Sequence, residues 1–61
     1  MDYSKFSVEE IKHYLNNNRM ITKQVLMQFI VNRNIVSAEY ADNDIYTFKL
    51  ADGTVMTAMI E

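Results

Sequence analysis

The sequence has no cysteine, one glycine and one histidine among its 61 residues. Without cysteine there is no disulfide framework and no cysteine-based zinc site, and the absence fits a reducing compartment. A lone histidine, His13, gives a metal ion no partner set. One glycine cannot build a glycine-rich phosphate loop. Long hydrophobic runs are also missing. None exceeds three residues, as at 25–27 and 29–31, against the ~20 a membrane-spanning helix needs. The N-terminus, MDYSKFSVEE, has no apolar stretch of the kind a secretory signal carries. The expectation is a soluble, cytoplasmic chain without a cofactor, a metal or a membrane partner. Net charge is −2, with a balance of +2 over residues 1–34 and −4 over residues 35–61. Neither half is charged strongly enough to argue for nucleic acid from composition alone.

What is present suits one small α+β domain spanning residues 1–61. A chain this short buries only about 60% of its unfolded surface. With no disulfide or metal, oligomerisation is the remaining common support. The densest apolar stretch, TKQVLMQFIVNR at 22–33, organises the rest. On a helical wheel Val25, Leu26, Phe29 and Ile30 form one arc, and Met27 and Val31 extend it. Gln24, Gln28 and Asn32 make an uncharged amide stripe. So wide an arc predicts a helix covered on two sides, with Met27 and Val31 as a possible second-subunit face. Thr22 is placed to cap the start of this helix and Asn34 to follow its end.

An earlier helix begins at Ser7. Ser7 and Glu10 have the spacing of a capping box, and Phe6 and Ile11 that of a hydrophobic staple. Val8, Ile11, Tyr14 and Leu15 share one face, and Glu9, Lys12, His13 and Asn16 the other. The asparagine run at 16–18 predicts the stop. Residues 1–6 read as a lead-in. After Asn34 the apolar period changes from about 3.6 to 2. Three strands are predicted at 35–41, 45–51 and 54–60. A three-residue loop, Asp42-Asn43-Asp44, places Tyr40 opposite Tyr46, Ala38 opposite Phe48 and Val36 opposite Leu50. Asp52-Gly53 reads as a two-residue hairpin turn, placing Leu50 opposite Val55, Phe48 opposite Thr57 and Tyr46 opposite Met59. The predicted fold is therefore ααβββ, two short helices on one face of a three-stranded antiparallel meander. Its outer face would carry an apolar corner, Ile45, Met56, Ala58 and Ile60, along an open edge strand.

No catalytic constellation emerges. His13 reads as a solvated surface residue. Asp42-Asn43-Asp44 begins like a calcium loop, but Tyr46 occupies the next alternate position and no glycine follows. The serines lack any nucleophile context. The functional expectation is a non-enzymatic protein-binding module. It would be a homodimer, and a short, cysteine-free composition rich in Asn, Ile and Met is compatible with a small bacterial or bacteriophage inhibitor or regulator. Its partner-binding candidates are the apolar corner and an acidic group, Glu39, Asp42, Asp44 and Asp52. The alternative is a nucleic-acid-binding regulator of winged-helix-like layout. Arg19, Lys23 and Arg33 would meet phosphates, and Gln24 and Gln28 would meet bases.

Overall fold

A computed structural model describes residues 2–61. After a 3-10 turn at Tyr3–Lys5, the elements are α1 (Val8–Asn17), β1 (Met20–Ile21), α2 (Lys23–Val31), β2 (Ile35–Tyr40), β3 (Ile45–Leu50) and β4 (Val55–Ile60). The class is α+β, as expected, but the sheet has four strands in the order β1-β4-β3-β2. The added strand, β1, is two residues from the link between the helices. It pairs parallel to β4, Met20 beside Met59 and Ile21 beside Ile60. Met59 N–H donates to the Arg19 carbonyl at 2.8 Å and Glu61 N–H to that of Ile21 at 2.9 Å. Two residues are too few to show a period of two, so a pattern search passes over such a strand.

Both helix starts form as their residues dictate. Glu10 N–H donates to Ser7 Oγ at 3.2 Å, and Ser7 N–H to Glu10 Oε1 at 2.9 Å, which completes the capping box. Val25 N–H donates to Thr22 Oγ1 at 3.2 Å. At the end of α1 the Asn17 and Asn18 side-chain amides donate to the carbonyls of His13 and Tyr14. The Tyr14 carbonyl also accepts from Asn18 N–H at 2.9 Å, so these amides reinforce the last turn. Helix α2 stops one residue earlier than predicted. Arg33, not Asn34, takes the left-handed backbone, with φ 66°.

The two hairpins differ in how they match expectation. In the first, the loop 42–44 and the pairs Tyr40–Tyr46 and Ala38–Phe48 stand as predicted. Asn43 and Asp44 both have positive φ, and Ile45 N–H donates to the Asp42 carbonyl. Such backbone suits Asn and Asp better than most side chains. A bulge at Val36 then lets Ile35, instead of Val36, face Leu50. The second hairpin corrects the predicted register. Gly53 N–H donates to the Leu50 carbonyl, and Leu50 N–H to that of Thr54. The loop is therefore three residues, 51–53, with Gly53 at φ 90° as its last. Phe48 pairs with Met56 and Tyr46 with Ala58. One residue of slip reverses every side chain of β4.

The core lies between the sheet and the helices. Ile11, Leu15, Ile21, Val25, Phe29, Ile35, Phe48, Leu50 and Ala58 are all buried. The 3-10 turn packs against it through Tyr3 rather than serving only as a lead-in. The rings of Tyr3, Phe6, Tyr14 and Phe29 all approach one another, with centroids 5.2 to 6.1 Å apart. Mostly edge-on or tilted, these are the arrangements aromatic quadrupoles favour. Burial and the Tyr3 hydroxyl push the Tyr14 pKa up. Asn32 donates through its side-chain amide to the carbonyls of Tyr3 and Phe6, at 3.2 and 3.3 Å. Helix α2 is thus covered on two sides, by the sheet and by the N-terminal turn. The second cover lies on the amide side, not over Met27 and Val31.

Candidate interaction surfaces

The predicted apolar corner does not form. Ala58 is buried, and Met56 and Ile60 are half-buried against the core. The one-residue shift turned these three inward. Only Ile45 keeps its place on the outer face, half-buried opposite Met59. Nor is the end of β4 an open edge, because β1 pairs with Met59 and Ile60. The face that β4 does present carries Val55, Thr57 and Met59. Met20, Met59 and Ile45 now stand side by side across three strands, an apolar row. Met20 is 52% exposed and Met59 37%. A groove of about 510 Å³ opens beside this row, bordered also by Lys23, Asp44 and Glu61.

The acidic group does not come together either. Glu39 lies on β2 opposite Thr47, and Asp42 and Asp44 lie in the loop beyond it. Asp52 is at the other end of β3, roughly 20 Å away for a six-residue strand. There it pairs with Lys12 of α1 at 2.5 Å and accepts from Thr54 N–H at 3.0 Å. The Lys12 ammonium, with the Thr54 amide, lowers the Asp52 carboxyl to about 2. Asp52 and Glu9 in turn push the Lys12 pKa up. This acid staples a helix to a turn.

Met27 and Val31 are open, at 62% and 72% exposure. Sequence reasoning missed their neighbours. Ile30, next to them on α2, is 45% exposed and borders a cleft of about 220 Å³ with Val36 and Ala38. Ala38 and Tyr40 share the helix-facing side of the sheet with Tyr46 and Phe48. The helices do not reach them, however, and both stay exposed. Beside this surface the outer edge of β2 has no partner strand among the described residues.

The residues of the nucleic-acid alternative are dispersed. Arg19 lies over the outer face, its guanidinium donating to Thr57 Oγ1 at 3.4 Å. Lys23 opens α2 and Arg33 follows its end, about 15 Å apart at 1.5 Å per residue. Gln24 is exposed and Gln28 half-buried. The third amide of that stripe, Asn32, is engaged by the N-terminal turn. His13 is exposed, 3.4 Å from the Asn17 amide. It lies in a groove of about 470 Å³ along α1, with Glu9, Glu10 and Tyr14. Among the described residues no three His, Cys, Asp or Glu side chains gather as a metal site. No helix among them is long and apolar enough to cross a membrane. Neither a family model, nor a curated protein, nor a solved structure matches the chain.

Proposed function

We propose that this chain is a protein-binding module that regulates or inhibits another protein by occupying it, in the cytoplasm and as a homodimer. One observation carries the reading. A protomer with a closed core still leaves two separate apolar surfaces uncovered. One is the α2 flank beside the β2 edge, with Met27, Ile30, Val31, Val36 and Tyr40 all at least 45% exposed. The other is the row Met20, Met59 and Ile45 on the opposite face of the sheet. Contiguous apolar surface of this kind marks association sites more often than scattered single residues do. Two such surfaces suit a dimer that also holds a target. The target takes the outer row, where Asp44, Glu61 and Lys23 rim the groove and offer both signs of charge to a polar surface.

The test is capture from native host lysate in the presence of nuclease, by tagged wild type and by Met59→Lys. One stoichiometric protein is expected with wild type, with at least about tenfold less retained by the variant, as for loss of a central apolar contact. Met59→Lys should keep the wild-type circular dichroism. Equal capture by both would remove the outer row from the reading. Capture that nuclease abolishes would transfer it to nucleic acid, with Arg19 and Lys23 as the first residues to change.

A further inference from the structure

We infer that the occupant of the β2 edge is the β2 strand of a second copy, antiparallel, with Ala38 on the twofold axis. The inference rests on the homodimer proposed above and specifies its interface.

Ala41 N–H donates to the Ile45 carbonyl at 2.8 Å. Antiparallel bonding alternates along a strand. Ala41, Glu39 and Ser37 therefore turn their backbone groups towards β3, while Tyr40 and Ala38 turn theirs outward, unpaired. Such a row is a template for another strand. No lysine or proline interrupts it, and the bulge at Val36 lies at one end, leaving 37–40 straight. The opposite edge is split between two-residue β1 and the start of β4, since β1 pairs with Met59 and Ile60 alone.

Self-pairing has few acceptable registers. Centring on Glu39 sets two carboxylates face to face, and like charges directly opposite are unfavourable. Centring on Ser37 puts Glu39 against the buried Ile35. Centring on Ala38 pairs the outward backbone groups of Ala38 with their own copies. It sets Ser37 against Glu39 and Tyr40 against the bulged Val36. With small Ala38 at the axis, the clefts that Ile30 and Ala38 border in the two copies meet and cover each other.

Charge supplies an independent argument. The same register brings the turn at 32–34 of each copy towards the loop at 42–44 of the other. Arg33 then stands next to the partner loop that holds Asp42 and Asp44, twice by symmetry. Within the protomer none of these three has an ion pair, since both salt bridges among the described residues belong to Lys12.

Sedimentation equilibrium of the full chain tests this. Wild type should be a dimer. Ala38→Lys, which sets two ammonium groups on the axis, should be monomeric with unchanged circular dichroism. Arg33→Glu and Asp42→Lys should each weaken the dimer about three- to tenfold, the range for an exposed pair present twice. Combined, they should restore most of the loss. That rescue stands even if Ala38→Lys fails to fold. A dimer indifferent to Ala38 and without charge rescue would overturn the β2 pairing yet leave the homodimer. A wild-type monomer at all concentrations would overturn both, and capture of a target would remain a separate question.

Discussion

Gly53 shows how much one backbone angle decides. Its φ of 90° is a conformation that L side chains rarely adopt, and nothing lies within 4 Å of where a Cβ would point. Gly53→Ala therefore meets no clash, and its cost is conformational alone, about 1–2 kcal/mol. Urea unfolding should show that loss, with Gly53→Asn losing less because asparagine tolerates left-handed backbone better. An alanine variant as stable as wild type would remove the loop assignment. The same residue explains the misread hairpin. Asp-Gly serves a two-residue turn, but glycine also ends the three-residue loop in which a turn is followed by a left-handed residue. Thr57 was the available signal for the second reading. The two-residue turn puts its hydroxyl on the helix-facing side, whereas the three-residue loop gives that side only Met56, Ala58 and Ile60.

At the scale of elements, α1 and α2 were legible because their caps are chemical. Ser7, Glu10 and Thr22 name their own positions. β4 was legible only through Thr57, since VMTAMI is otherwise apolar on both faces. β1 and the 3-10 turn were too short to leave a pattern. They are held by tertiary contacts, to β4 and to the aromatic rings. The staple between α1 and the β3–β4 turn has a pH signature. Asp52 titrates at about 2 in the fold, below the roughly 3.9 of an unfolded chain. Its contribution is thus complete above the unfolded value and is lost as pH falls through about 4 to about 2. Urea midpoints of wild type and Asp52→Asn should differ at pH 6 and converge by pH 2. A difference that persists unchanged in acid would show that the pair does not act through charge.

For the whole molecule, the protomer exposes 4100 Å², and the usual scaling for 7.2 kDa gives about the same. Its uncovered apolar surfaces therefore belong to a protomer already folded to ordinary compactness. The reserve is nonetheless small, about 3–9 kcal/mol for 61 residues. Phe29 has no exposed surface and touches three other rings. Phe29→Ala should cost about 3–5 kcal/mol, lowering the melting temperature by more than about 10 °C at this size. A melt within a degree or two of wild type would displace Phe29 from the centre of the fold.

The parallel pair between β1 and β4 has a kinetic consequence. The two hairpins close loops of three residues, but Met20 finds Met59 only across 39 positions. Closure entropy rises with the logarithm of loop length, and distant contacts slow folding. The meander of β2, β3 and β4 can assemble from neighbours alone, whereas β1 must wait for its partner. The link that binds the first half of the chain to the last strand thus carries a closure cost that neither hairpin bears.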